Sequence, residues 1–110
     1  MQRMLLVAVA ATALTIAVSP GNGGAPRHWT LQCGPTAGTL PHAADACARL
    51  ARLSAPFAPV PPKTMCTAIY GGPQVARVSG TFRGHKVRAT FNRRGGCEIA
   101  RWNRVSFLFR

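Results

Sequence analysis

The stretch QVARVSGTFRGHKVRATF, residues 74–91, decides the fold class. Its two strand candidates, Gln74 to Phe82 and Lys86 to Phe91, flank Arg83-Gly84-His85, and a short glycine-containing break between two such runs predicts a β-hairpin. Downstream, Val105, Phe107 and Phe109 alternate with Ser106 and Leu108 and predict a closing strand; upstream, Arg27 to Cys33, carrying Trp29 and Leu31, predicts another. The segment from Pro41 to Leu53 reads as a helix. Ala43, Cys47, Leu50 and Ser54 fall on one face, Arg49 and Arg52 on another, and Pro41 suits a first helical position. The expectation is an α+β domain: a mainly antiparallel sheet of about five strands, covered by one or two helices. The sequence shows no internal repeat.

At the N-terminus, Arg3 precedes an apolar run from Met4 to Val18. That composition predicts a secretory signal peptide, since the run is shorter than the ~20 residues of a membrane-spanning helix. Cleavage is expected between Ser19 and Arg27, which makes 1–26 a signal and short flexible segment and 27–110 the domain. A domain of that size has a small core, so covalent support is expected. Secretion favours disulfides among Cys33, Cys47, Cys66 and Cys97, for which three pairings exist. Zinc sites place cysteines two to four residues apart, and no two here lie that close. No metal or other cofactor is expected.

The segment Met65-Cys66-Thr67-Ala68-Ile69-Tyr70 has extended propensity and lies between Pro56, Pro59, Pro61 and Pro62 on one side and Gly71-Gly72-Pro73 on the other. A strand-like run between chain breakers reads as an exposed loop. A cysteine inside it ties the loop to the body, ordering its backbone before anything binds. These are the properties of a segment offered to a protease as an added strand.

The remaining chemistry narrows the function classes. Fourteen Lys and Arg against two Asp and Glu give a net charge of +12, or +11 once Arg3 leaves with the signal. A secreted cation of this kind has an alternative reading as a binder of nucleic acid or anionic surfaces, but no element interleaves basic residues with stacking aromatics. Asp45 and Glu98, the only carboxylates, exclude paired-carboxylate hydrolysis and carboxylate-bound metals. His28, His42, His85 and Lys86 show no catalytic spacing. Asp45 beside Arg49 reads as a helix-face ion pair. No catalytic residue is assigned.

The helix-borne Ala44-Asp45-Ala46-Cys47-Ala48-Arg49-Leu50, the loop Met65 to Tyr70, the tail from Cys97-Glu98-Ile99 to Phe109 and the cysteine frame together resemble the Streptomyces subtilisin inhibitor-like proteins, over about Trp29 to Phe109. The resemblance implies a secreted serine-protease inhibitor, not an enzyme, in which helices cover a sheet. It implies bridges Cys33–Cys47 and Cys66–Cys97 and a homodimer formed by sheet packing. It places the scissile bond between Ala68 and Ile69, with Met65, Cys66 and Thr67 before it and Tyr70 after. Ala68, as the residue entering the main specificity pocket, implies subtilisin-like or elastase-like targets. The chain departs from the family twice: Gly71-Gly72-Pro73 replaces an Asp-Pro exit, and Gly95-Gly96 stands where an asparagine braces the loop. Both departures predict a less supported loop.

Overall fold

The centre of the fold is a strand that lies within the apolar run of the predicted signal. In the computed structural model, which describes residues 11–110, Thr12–Ser19 forms β1. It is flanked by β2 (Arg27–Cys33) and β3 (Tyr70–Phe82), and β4 (His85–Arg94) completes a four-stranded antiparallel sheet in the order β2-β1-β3-β4. Leu14, Ile16 and Val18 point into the core, whereas Ala13 and Thr15 face solvent. The period is therefore two, as in any half-buried strand. It was hidden because the solvent-facing positions carry small residues that do not break an apolar run. A cut between Ser19 and Arg27 would remove the strand that bonds both β2 and β3. Residues 1–10, the first part of the predicted signal, lie outside the described residues.

The hairpin is present, closed by the pair Phe82 and His85. Its two turn residues, Arg83 and Gly84, both have positive φ (50° and 80°), the combination that matches the twist of the strands they join. The Arg83 guanidinium donates to the carbonyls of Leu50 and Ala51 at 3.2 Å, in the last turn of α1 (Ala43–Arg52), where helical carbonyls lack partners. The first helix starts after Pro41, because His42 takes a left-handed conformation (φ 58°). Its buried residues are Ala46 and Leu50.

The predicted closing strand is absent, leaving four strands among the described residues where about five were expected. Residues 96–104 form α2 (Gly96–Arg104), and a 3-10 turn follows at Ser106–Leu108. Val105, Leu108 and Phe109 are buried, and their spacing of three and four residues is that of a helical turn. Among the described residues no helix is long and apolar enough to cross a membrane.

Both helices cover one face of the sheet. Phe91 packs against Phe109 at 5.4 Å between ring centroids, and Trp102 against Phe109 at 4.7 Å. The other face is open and carries Thr15, Thr30, Arg77, Ser79, Lys86 and Arg88. Both disulfides that the resemblance implies are formed. Cys33–Cys47 joins β2 to α1, and Cys66–Cys97 joins the loop to α2, with Cα separations of 5.7 and 5.3 Å. On the loop-entropy account they contribute about 3 and somewhat under 4 kcal/mol.

Candidate functional site

The chain from Pro61 to Tyr70 is exposed throughout. Among the described residues the exposed large hydrophobics are Met65, Ile69 and Tyr70, at 95%, 55% and 66% of full exposure. All three therefore fall within one six-residue segment. Apolar surface concentrated this way makes the segment the candidate contact site. The prolines keep the approach out of helix and sheet, and the Thr64 hydroxyl donates to the Pro61 carbonyl at 2.6 Å to close a turn just before Met65.

The loop is held from beneath by the start of α2. Cys66 is bonded to Cys97. The Gly96 N–H donates to the Thr67 carbonyl at 2.8 Å and the Gly95 N–H to the Ile69 carbonyl at 2.6 Å. These amides belong to the cap and first residue of α2, where N–H groups have no partner within the helix. Among the described residues Ala68, between the two anchored carbonyls, makes no hydrogen bond of its own. Glycine is needed for this approach, since a Cβ on Gly96 would collide with the Thr67 hydroxyl and Gly95 has φ 102°. At this position, where the resemblance implies an asparagine brace, the loop is held by two backbone amides.

The exit is also packed. Gly71 lies against α2, where a Cβ would meet Ile99 Cδ1 at 2.8 Å, and its carbonyl accepts from Arg93 Nε at 3.1 Å. The approach is tied to α2 by two arginines. Arg101 donates to the carbonyls of Ala58 (2.8 Å) and Phe57 (3.4 Å) and to Thr90 of β4 (2.7 Å), while Arg104 donates to Ser54 (2.7 Å). Glu98 pairs with Arg101 at 3.4 Å.

The i, i+3 spacing of Arg101 and Arg104, beginning four residues after Cys97, is the sequence signal that points to them. Asp45 and Arg49 form the expected ion pair at 2.9 Å. His28 lies on β2, His42 before α1, and His85 and Lys86 at the hairpin, all exposed. Among the described residues no three His, Cys, Asp or Glu side chains cluster so as to hold a metal ion.

No curated protein sequence matches this chain. Among solved structures, the crystal structure of Streptomyces caespitosus sermetstatin in complex with Bacillus licheniformis subtilisin superposes with a TM-score of 0.53 at 23% identity, covering 86% of this chain and 96% of that one. That likeness establishes the shared fold. The sequence model described as subtilisin inhibitor-like matches residues 10–93, a span that takes in β1 through nearly all of β4 and the whole exposed loop. The chain belongs to the subtilisin inhibitor-like family.

Proposed function

We propose that this protein is an extracellular inhibitor of serine proteases, subtilisin-like or elastase-like, that presents Met65 to Tyr70 as a substrate-like reactive loop with its scissile bond between Ala68 and Ile69. The observation that carries the reading is the free Ala68 between two anchored carbonyls, in the segment that holds the exposed apolar side chains. An extended backbone adds as a strand to a protease cleft while alternate side chains enter pockets. Met65 fills an apolar pocket ahead of the bond, and the Ala68 methyl fills the main one. Sermetstatin's complex with subtilisin is consistent with a partner of this class.

Inhibition then follows from product retention. The protease serine attacks the Ala68 carbonyl, the Ala68–Ile69 bond breaks, and the Ile69 amine is the leaving group. That amine cannot diffuse away, because Ile69 is hydrogen-bonded to Gly95 and continues into β3, while the acyl side is held by the Cys66–Cys97 bridge. Resealing therefore competes with hydrolysis. A loop ordered beforehand also loses less entropy on binding, so a standard-size contact can reach nanomolar affinity, about 12 kcal/mol.

The two disulfides suit an oxidising, extracellular compartment. The reading extends to a homodimer formed through the open sheet face. Titrating the oxidised protein against subtilisin, elastase and trypsin, with mass spectrometry for slow cleavage after Ala68, tests class, site and specificity together. Tight inhibition of the first two with slow cleavage at that bond is expected. Rapid digestion elsewhere in the chain would refute the proposal.

A further inference from the structure

We propose that Arg93 is a positioning residue that holds the exit of the reactive loop in register, keeping the two ends of a cut Ala68–Ile69 bond within resealing distance; the inference rests on the reactive-loop reading above. Along the β3–β4 ladder Tyr70 pairs with Arg94 and Val75 with Asn92, so residues 71–74 of one strand face Arg93 alone on the other. A bulge of this size deprives backbone groups of their ladder partners. The Arg93 side chain turns into the gap. Its Nε donates to the Gly71 carbonyl at 3.1 Å, one of its terminal nitrogens donates to Asn103 Oδ1 at 3.2 Å, and the guanidinium carbon lies 5.6 Å from the centre of the Trp102 ring.

Gly71 is two residues beyond Ile69, whose amide nitrogen must return to the acyl group. Ile69 is thereby fixed directly through Gly95 and, just downstream, through Arg93. Asn103 and Trp102 belong to α2, the helix that also carries Cys97. One helix therefore holds the acyl side by a covalent bond and, through Asn103 and Trp102, steadies the β4 guanidinium that holds the amine side. The planar, permanently charged fork suits the task, since it bonds in two directions while lying over an aromatic ring, which an ammonium group does less well. The rest of the bulge gives little help. Gly72 sits at φ 124°, and the buried Gln74 Oε1 has no hydrogen-bond partner among the described residues.

The test compares the native chain with Arg93→Met, Arg93→Lys, Asn103→Ala and the Arg93→Met, Asn103→Ala double variant. For each, the inhibition constant against subtilisin and the rate of cleavage after Ala68 are measured beside thermal unfolding. Arg93→Met is expected to speed cleavage roughly tenfold or more and to weaken inhibition by a similar factor, the usual consequence of losing a charged hydrogen bond. Arg93→Lys should recover part of the loss. Asn103→Ala should act in the same direction, and the double variant should be no worse than Arg93→Met alone, as expected for two ends of one tether.

A native chain that inhibits, with an Arg93→Met variant unchanged in both quantities, overturns the positioning role. A native chain that binds none of the proteases overturns the inhibitor reading instead. If Arg93→Met melts early, the exposed Asn103→Ala carries the test, and an unchanged cleavage rate there also overturns the proposal.

Discussion

The same two strands, β3 and β4, are joined in different ways at their two ends. From Val75 to Phe82 they form an unbroken ladder over buried Val78, Ala89 and Phe91 and close in a two-residue turn. Toward Tyr70 the ladder bulges, Met65, Ile69 and Tyr70 are exposed to solvent, and the work of holding the chain passes to a disulfide, two glycine amides and the arginines 93, 101 and 104. The far end is stabilised by apolar burial, which is non-directional and tolerant of small shifts. The loop end is held by directional bonds to individual carbonyls. A surface that must stay exposed and apolar for a partner cannot also be packed, so its order has to come from bonds aimed at its backbone.

The largest effect bears on the sheet. A chain lacking residues 1–26 loses β1, and with it Leu14, Ile16 and Val18 and both of that strand's ladders. It is expected not to fold at all, whereas the signal-peptide reading expects a native protein; circular dichroism of the two chains decides. At the loop end, Ala68→Lys should leave the melting temperature untouched and gain trypsin inhibition by several kcal/mol through a pocket ion pair. Ala68→Leu should tighten subtilisin by about 0.8 kcal/mol for each methylene buried.

The two disulfides give a sharper contrast. Replacing Cys33 and Cys47 by Ser should cost about 3 kcal/mol of stability with little change in the inhibition constant, while replacing Cys66 and Cys97 should convert an inhibitor into a digested substrate. Denaturant melts and product mass spectra separate the two outcomes. The smallest effect is expected on the open face. Arg77→Gln with Arg88→Gln should leave inhibition unaltered, but should weaken the salt dependence of self-association. If two copies pack through that face, Arg77, Lys86 and Arg88 meet like charges, so sedimentation should show the native dimer strengthening as salt rises.

Local chemistry made much of this legible. The hairpin announced itself through Arg83-Gly84, α1 through its apolar face, and the loop through its prolines and glycines. Two elements were hidden for a common reason. In β1 and in the tail, the apolar pattern alone could not fix its period: alanines at solvent-facing positions turned an alternation into a continuous run, and Val105, Phe107 and Phe109 fit a strand as well as the end of a helix. The brace at Gly95 and Gly96 was invisible for a different reason. It is made by backbone amides, which every residue possesses, and only the folded approach of α2 shows where they point.

The position of β1 in the sheet also bears on how the molecule assembles. The strand bonds β2 across a short connection, yet its other edge waits for β3, pairing residue 13 with residue 81. Closing so long a span costs chain entropy before any contact rewards it, which places this step late and makes it slow. Until β3 is made, a β1–β2 ribbon leaves one edge of unpaired N–H and C=O groups and an uncovered apolar face, and a two-stranded ribbon is marginal in water. Such a ribbon is a template for pairing with another chain, so yield on refolding should fall steeply as protein concentration rises.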